Sequence, residues 1–234
     1  MVWVMIMDTN DYKVCILAAG KGSRLENFTH HLNKAFLPIR GKPVLSYIIE
    51  SYDPNVEIVF ALGYKSEEME AFISTAYPDR KFVFVIVDNY DKPGSGPGYS
   101  LLCCKDNLQC PFVLANVDAL IKGKIPMPYR NWFGVAEVDD TTRFCSVKID
   151  DNDRIVRIDD KRHTDNIYAF TGIAGIYDYE TFWDGLIKNK ELISGELQVS
   201  NGFQELMKKG IYIERLNWYD TGTVKTYADT LKNY

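Results

Sequence analysis

The sequence lacks a long apolar run and a concentrated basic tract, and few basic residues occur near its start. Within its 234 residues, no stretch approaches the ~20 apolar residues that cross a bilayer, so we expect no membrane partner. The net charge is −5 and no segment is rich in Lys or Arg, which argues against a nucleic-acid partner. The apolar start is short and has no basic region, so we expect no signal peptide and a cytoplasmic protein.

The sequence also lacks the cysteine and histidine patterns that are typical of metal or redox sites. The five cysteines form no C-x-x-C pair, and the three histidines have no metal-ligand spacing. We therefore expect the cysteines to be apolar filler in a reducing compartment, not zinc ligands or a redox couple. With 46% apolar and 13% aromatic residues, the chain can bury a sizeable core.

Strand-like and helix-like segments alternate through the first half of the chain. Hydrophobic periodicity predicts strands at 14–18, 56–62, 82–87 and 112–115, and helices at 44–51, 66–76 and 98–105. Such alternation predicts a parallel sheet covered by helices on both faces, with right-handed crossovers. In the second half, strands are predicted at 133–138, 146–149, 155–158, 169–177 and 211–216, and helices at 179–188, 197–209 and 224–233.

The first predicted strand is followed by glycines and cations: Gly20-Lys21-Gly22-Ser23-Arg24, with Lys34 ten residues later. Gly20 and Gly22 remove side chains where the backbone turns, so that successive N–H groups can converge on an anion. A dinucleotide-binding fingerprint would need a third glycine where Leu25 stands, and no window fits the P-loop pattern. The loop is therefore suited to hold phosphates at the carboxyl end of a strand, in a pattern of its own.

The whole pattern resembles the nucleotidyltransferases that activate sugar phosphates. It consists of L-A-A-G-x-G-x-R-L over residues 17–25, then Lys34, then Gly41-Lys42-Pro43. This family includes sugar-1-phosphate pyrophosphorylases and short cytidylyltransferase relatives. The resemblance implies an α/β fold, a Rossmann-like three-layer αβα sandwich around a mostly parallel, mixed central sheet of the nucleotide-diphospho-sugar transferase type. We expect one catalytic domain over 1–234 and no further domain, with a nucleotide-binding part at about 10–130 and an acceptor-binding part at about 131–223.

The resemblance assigns the nucleotide to the first loop and to a second glycine-rich loop at 88–100. Arg24 would hold the β- and γ-phosphates, and Lys34 the α-phosphate, where charge develops in the transition state. Lys21 is either a ligand or solvated. Glycines of the second loop would let a flat base approach the backbone. The nucleotide contacts implied in this way are Leu17, Ala18, Ala19, Gly20, Gly22, Ser23, Asn89, Gly96 and Gly98.

Two aspartates match metal-binding segments of the family, Asp118 after the apolar segment 112–117 and Asp220 in Trp-Tyr-Asp-Thr-Gly-Thr. An aspartate at the carboxyl end of a strand points into the ligand crevice. Their oxygen ligands suit Mg²⁺, which is the expected cofactor. The alternatives are a helix cap or Asx-turn at Asp118 and a plain capped loop at Asp220. A glycosyltransferase D-x-D motif would need an acid where Asn116 stands.

The acceptor contacts implied by the resemblance are Asn116, Lys161, Thr171 and Gly172. Lys161 matches the lysine of a family Glu-Lys pair that meets the acceptor phosphate, but the acid is Asp160 here. A solvated charge run at 159–162 is the alternative. Cys145 fills a position where sugar enzymes have glycine, and Tyr-Ser-Leu at 99–101 resembles phosphocholine-type cytidylyltransferases.

The predicted function is Mg²⁺-dependent transfer of a nucleotidyl group from an NTP to a sugar 1-phosphate, which gives an NDP-sugar and pyrophosphate. The close alternative is a CTP-dependent cytidylyltransferase for a small phosphorylated alcohol, amine or phosphonate. A nucleotide sensor without activity would be expected to have lost Lys34, Asp118 or Asp220. The expected partners are small molecules, and homo-oligomerisation is left open.

Overall fold

The computed structural model describes residues 8–234. Its strands are β1 (Lys13–Ala18), β2 (Pro38–Ile39), β3 (Lys42–Pro43), β4 (Ile58–Leu62), β5 (Phe82–Ile86), β6 (Phe112–Asn116), β7 (Ala119–Ile121), β8 (Trp132–Glu137), β9 (Cys145–Ile149), β10 (Ile155–Asp160), β11 (Tyr168–Ile176), β12 (Leu192–Ile193), β13 (Glu196–Leu197), β14 (Tyr212–Arg215) and β15 (Trp218–Asp220). The α-helices are α1 (Val44–Glu50), α2 (Ser66–Ala76), α3 (Pro97–Cys103), α4 (Tyr179–Lys188), α5 (Ser200–Leu206) and α6 (Val224–Asn233). Short 3-10 helices occupy Ser23–Thr29, Lys34–Phe36, Lys105–Asn107 and Met207–Lys209.

A 9-stranded sheet runs through the middle of these residues in the order β10-β9-β11-β6-β1-β4-β5, with β8 pairing to β11 and β14 pairing to β8. β5, β4, β1 and β6 pair in parallel, as do β8 and β14. The antiparallel pairs all involve β11 or β10, so within this sheet these two strands run against the rest. The prediction of a mostly parallel, mixed sheet is confirmed.

The two faces of the sheet carry two separate apolar cores. Side chains of a strand alternate between faces, and in β1 Val14 and Ile16 point into one core while Cys15 and Leu17 point into the other. Residues of α1, α2 and α6 pack into the first core, and residues of α3, α4 and α5 into the second. This arrangement confirms the predicted three-layer αβα sandwich.

Most predicted elements are present with small shifts at their ends, and the bounds of α2, α4 and α6 agree fully. The helix predicted at 197–209 is wrong at its start, since α5 begins at Ser200. Leu197 instead pairs with Leu192 in β13 and donates its N–H to the carbonyl oxygen of Ser95 at 2.8 Å. The short ladders β2–β3, β7–β15 and β12–β13 were not predicted, because two- or three-residue strands carry too little periodicity to be detected.

The five cysteines are all unpaired. Cys15 and Cys104 are fully buried, where burial raises the pKa of the Cys15 thiol. This placement matches their predicted use as apolar filler. Among residues 8–234, no helix combines the length and apolar character that crossing a membrane requires.

The sheet topology creates an edge at which loops from the first half of the chain meet. β1, β4, β5 and β6 are parallel neighbours, so their carboxyl ends lie side by side. β11 is longer than these strands: residues 173–176 pair with β6, and 168–169 pair with β9. Its first half therefore extends past the edge and carries the β9–β10 hairpin beside it. Ligands of open α/β sheets bind at such an edge.

Candidate active site

A short antiparallel ladder brings together two aspartates that are distant in the sequence. β7 pairs with β15 so that Asp220 lies opposite Ala119. The backbone N–H and the hydroxyl of Thr221 both donate to the carbonyl oxygen of Asp118, at 3.0 and 3.1 Å. From α6, the Thr230 hydroxyl donates to the carbonyl oxygen of Asp220 at 2.8 Å. The backbones of both aspartates are thus fixed beside each other.

Gly222 marks the space between the two carboxylates. A Cβ on this residue would lie 3.0 Å from Oδ2 of Asp118, 3.0 Å from Oδ1 of Asp220 and 3.5 Å from Nη2 of Arg24. Two carboxylates and a guanidinium therefore surround one point where the chain has no side chain. The N–H of Gly222 also donates to Oδ1 of Asp220 at 2.8 Å.

Lys34 forms the shortest ion pair to this cluster. Its Nζ lies 2.7 Å from Oδ2 of Asp118, and the two side chains are only 16% and 14% exposed. The position of Lys34 is set by Asn33, which is fully buried. The amide of Asn33 donates to the carbonyl oxygens of Ala18 and Tyr64 at 3.3 and 2.9 Å, and its oxygen caps the 3-10 helix that begins at Lys34. Lys34 is thereby tied to the end of β1.

The pKa values of Asp118 and Asp220 shift in opposite directions. Burial raises the pKa of Asp118, but the charge and hydrogen bond of Lys34, together with the charge of Arg24, outweigh burial and hold the pKa below its ordinary value. Burial also raises the pKa of Asp220, and the nearby negative charge of Asp118 raises it further. The N–H of Gly222 and the charge of Arg24 oppose this rise without cancelling it. Burial and the neighbouring charge of Asp118 thus both disfavour the ionised form of Asp220.

The predicted phosphate loop has the open backbone that anion binding requires. Gly22 has φ +69°, and a Cβ there would lie 3.2 Å from Cβ of Lys34, so this glycine is needed by the fold. A Cβ on Gly20 would meet nothing within 4 Å. Ser23 and Arg24 follow on the exposed side of the loop. The side chains of the predicted nucleotide contacts at the end of β1 are buried, which leaves only backbone atoms for a ligand: Leu17, Ala18 and Ala19.

The second glycine-rich loop borders a shallow groove of about 280 Å³, lined by Asn89, Lys92, Pro93, Gly94, Ser95 and Tyr99. The amide of Asn89 donates to the Tyr99 hydroxyl at 3.3 Å. Gly96 and Gly98 were expected to let a flat base approach the backbone, and the structure gives a different reason for their lack of a side chain. A Cβ on Gly96 or Gly98 would lie 2.7–2.8 Å from Leu197 or Gln198 backbone, so the chain itself approaches them. Their predicted contact with a base stays a prediction.

An ion pair connects the two loops. Nζ of Lys21 lies 2.7 Å from Oδ2 of Asp91, and both side chains are well exposed. Lys21 is therefore engaged by the second loop in this structure. Both alternatives for Lys21, a nucleotide ligand or a solvated side chain, stay open.

Two of the predicted acceptor contacts lie together where β6 meets β11. Gly172 has φ +89° in an irregular part of β11, and a Cβ on it would lie 2.8 Å from the side-chain nitrogen of Asn116. Asn116 ends β6, two residues before Asp118. Thr171 is buried, and its hydroxyl donates to the carbonyl oxygen of Gly134 at 3.0 Å. That hydroxyl is thus used by the fold.

Lys161 follows the last residue of β10 and reaches toward the β12–β13 segment. Its Nζ lies 3.7 Å from Oε2 of Glu196. The preceding Asp160 accepts a hydrogen bond from the Ser200 hydroxyl at 2.6 Å and pairs in register with Cys145 of β9. Lys161 is about one third exposed, and its contact with an acceptor stays a prediction.

The structure adds residues that the motifs did not single out. Arg143 places Nη2 3.7 Å from Oδ2 of Asp220, although 76 residues separate them in the chain. No periodicity or spacing connects these positions, so only the fold could reveal the contact. Asn33 directly precedes Lys34, and Gly222 lies two residues after Asp220. Both are therefore part of the motifs, and their neighbours in the sequence are the signal that could have identified them.

Comparison with known proteins identifies the first half of the chain. Residues 14–121 match the model of the MobA-like NTP transferase domain. Residues 14–121 are thus similar to an NTP transferase domain. The resemblance to nucleotidyltransferases drawn from the sequence is therefore confirmed. The matched segment contains the phosphate loop, Lys34 and Asp118, whereas Asp220 lies outside it.

Curated relatives and solved structures extend the likeness over most of the chain. The bifunctional protein GlmU of Methanococcus vannielii is 28% identical over 218 residues, which cover 88% of this chain and 51% of GlmU. This chain thus spans about half the length of that relative. UDP-glucose pyrophosphorylase complexed with UDP-glucose has the same fold, with a TM-score of 0.78 and 18% identity over 95% of this chain and 98% of that chain. CTP:phosphocholine cytidylyltransferase from Streptococcus pneumoniae also shares it, with a TM-score of 0.76 and 21% identity over 95% and 98%.

Proposed function

We propose that this chain catalyses Mg²⁺-dependent transfer of a nucleotidyl group from an NTP to a sugar 1-phosphate, releasing pyrophosphate. The observation that carries the proposal is the convergence of Asp118, Asp220, Arg24 and Lys34 at the carboxyl edge of the sheet. Two polyanions must meet in this reaction, so a catalyst needs fixed positive charge and oxygen ligands for a cation. Both are present at one place.

The carboxylate pair fits a magnesium ion. Mg²⁺ is usually held in proteins by one or two carboxylates together with substrate phosphates and water. Asp118 and Asp220 each place an oxygen 3.0 Å from the position that a Cβ on Gly222 would take, so the two carboxylates are close neighbours, and their mutual repulsion is what a divalent cation would neutralise. Mg²⁺ bound by these two residues would supply positive charge at the α-phosphate. Lys34 already neutralises part of the Asp118 charge, so less negative charge is left for the metal on the Asp118 side.

The reaction requires little acid–base catalysis from the protein. An ionised oxygen of the acceptor phosphate forms a bond to the α-phosphorus, and the bond from that phosphorus to the bridging oxygen of pyrophosphate breaks. No proton needs to move, because both the attacking and the leaving oxygens are phosphate oxygens that are ionised near neutral pH. The protein contributes position and charge: Arg24 would hold the β- and γ-phosphates, and Lys34 the α-phosphate.

The nature of the acceptor has two candidates. Sugar 1-phosphates are favoured by the relatives, among them a glucose-1-phosphate thymidylyltransferase of Streptomyces antibioticus that is 25% identical over 94% of this chain and 64% of its own. Cys145 favours the smaller acceptors, since it is partly buried beside the crevice at a position where sugar enzymes have glycine. A CTP-dependent cytidylyltransferase for a small phosphorylated alcohol, amine or phosphonate is therefore the second candidate.

Pyrophosphate release by the purified protein tests the proposal. CTP, UTP, GTP, dTTP and ATP are each combined with Mg²⁺ and one of two acceptor pools. One pool contains sugar 1-phosphates; the other contains phosphocholine, phosphoethanolamine and aminoethylphosphonate. Release with the sugar pool is the expected result and names the base. Release only with CTP and the second pool would favour the alternative, and no release from any pair would overturn both.

A further inference from the structure

Arg143 is the cation on the side of the carboxylate pair opposite Lys34. Lys34 contacts Oδ2 of Asp118 at 2.7 Å, whereas Arg143 contacts Oδ2 of Asp220 at 3.7 Å. The two cations also differ in their access to solvent, since Lys34 is 16% exposed and Arg143 is 43% exposed. Each carboxylate thus carries its own cation, from a different part of the fold.

The contact of Arg143 with Asp220 leaves most of its guanidinium free. A distance of 3.7 Å exceeds the 2.7–3.2 Å of a normal N–H···O hydrogen bond. A guanidinium has five N–H donors in a planar arrangement that matches two phosphate oxygens at once. Arg143 can therefore bind a phosphate without first breaking a strong pair.

Arg143 packs its guanidinium against a neighbouring aromatic ring. Its guanidinium carbon lies 5.2 Å from the ring centroid of Phe144, and that ring packs edge-on against Trp218 at 5.6 Å. Trp218 begins β15, the strand that ends in Asp220. Phe144 therefore links Arg143 by contact to the strand that carries Asp220.

Arg143 and Lys161 are presented from adjoining backbone. The N–H of Lys161 donates to the carbonyl oxygen of Phe144 at 2.9 Å, just beyond the register pair of Cys145 with Asp160. Both cations thus belong to the base of the β9–β10 hairpin. Arg24 and Lys34, by contrast, come from the segment that follows β1.

We propose that Arg143 binds the phosphate of the acceptor, beside Lys161 and on the Asp220 side of the carboxylate pair. The proposal rests on the proposed function and deepens it. The acceptor is a phosphate or phosphonate whose oxygens bind a guanidinium in a bidentate manner, while the NTP phosphates occupy the Arg24 and Lys34 side. Attack then occurs across the carboxylate pair. A neutral alcohol without a phosphate has no negative charge with which Arg143 and Lys161 could pair.

The kinetic test compares Arg143→Gln with wild type for each substrate separately. We expect the acceptor KM to rise about 10- to 100-fold, as for the loss of a charge-assisted hydrogen bond. The KM for the NTP and the half-saturating Mg²⁺ concentration should change less than twofold. Arg143→Lys should recover part of the loss, since it restores the charge without the bidentate geometry. Arg162→Gln, an exposed arginine beside Lys161, is the matched control and should behave as wild type.

Three kinetic outcomes would overturn the proposal. An unchanged acceptor KM would show that Arg143 does not touch the acceptor. A shifted Mg²⁺ dependence with an unchanged acceptor KM would mean that Arg143 only positions Asp220. A raised NTP KM alone would place Arg143 on the nucleotide side instead.

A binding experiment keeps this inference separate from the proposed function. The ³¹P line width of inorganic phosphate is measured with wild type, Arg143→Gln and Arg162→Gln, without any nucleotide. Wild type and Arg162→Gln should broaden the line equally, and Arg143→Gln should lose at least half of that broadening. Equal broadening by all three proteins would contradict a phosphate-binding role for Arg143. Broadening that depends on Arg143 in a protein without turnover would instead count against the proposed reaction alone.

Discussion

At the scale of single residues, the site contains one cation that is held by the fold, Lys34, and one that is exposed, Arg24. Lys34 is paired with Asp118 and held by Asn33, so its position does not depend on a substrate. Arg24 is exposed and lies near the point between the carboxylates. The motif predicted both residues as phosphate ligands, whereas the contact between Lys34 and Asp118 could be read only from the structure.

Replacing Arg24 by lysine tests whether geometry or charge is needed there. A lysine ammonium cannot form the two parallel hydrogen bonds that a guanidinium makes to phosphate. We expect Arg24→Lys to lower kcat/KM for the NTP about 10²-fold in the pyrophosphate-release assay, by analogy with the loss of one electrostatic donor. Arg162→Lys should leave kcat/KM unchanged. Full activity of Arg24→Lys would remove the bidentate role.

At the scale of elements, the phosphate loop contains two glycines with different reasons to be there. Gly22 adopts φ +69° and packs against Lys34, which the fold demands. Gly20 has open space around it, and nothing in the fold demands glycine. The sequence pattern could not separate these two roles, because a missing side chain looks the same in both.

Alanine at these two positions should therefore give opposite results. Gly22→Ala should lower the free energy of unfolding by about 1–2 kcal/mol, the cost of a left-handed backbone for a residue with a Cβ. Gly20→Ala should leave stability unchanged or slightly higher, and raise the NTP KM at least about 10-fold if phosphate oxygens fill that space. Urea unfolding and the KM for the NTP are the two measurements. An unchanged KM in Gly20→Ala would contradict a phosphate at this loop.

The β9–β10 hairpin, which has Arg143 and Lys161 at its base, is held by ion pairs on its outer face. Asp165 accepts from Lys148 of β9 at 2.9 Å and from Arg157 of β10 at 3.0 Å. Hydrogen bonds and charge from these two residues lower the pKa of Asp165 from 3.8 to about 2. The folded state therefore binds the ionised form more favourably than the unfolded state does.

The sign of this shift predicts a pH dependence. Because the pKa is lowered on folding, the ion pairs stabilise the protein above about pH 4, and the contribution is lost as the pH falls toward 2. We expect Asp165→Asn to melt at a slightly lower temperature than wild type at pH 7, with most of the difference lost by pH 2. Calorimetry between these limits measures it, and Asp151→Asn, an exposed neighbour on the hairpin turn, is the control. A difference that persists undiminished at pH 2 would refute the assignment.

At the scale of the whole molecule, the sheet edge determines where the chemistry lies. The sequence predicted the αβα layers and most elements, because long amphipathic and apolar segments carry clear periodicity. It did not predict the β7–β15 ladder, which places Asp118 beside Asp220, or the extension of β11 that brings Arg143 and Lys161 to the same crevice. Short ladders and contacts across a hundred residues depend on tertiary packing, which has no local signal.

The most direct measurement of the central claim is the rate of pyrophosphate release by Asp118→Asn at saturating substrates and Mg²⁺. Asparagine keeps the shape of the side chain but removes the charge that would bind the metal and pair with Lys34. We predict a fall in kcat of about 10²- to 10³-fold, the scale of losing one electrostatic group at a developing charge. The variant should melt at a lower temperature because Lys34 loses its partner, but it should stay folded at the assay temperature, and Asp229→Asn, an exposed aspartate on α6, should keep full activity. A folded Asp118→Asn variant that releases pyrophosphate at the wild-type rate would contradict the account.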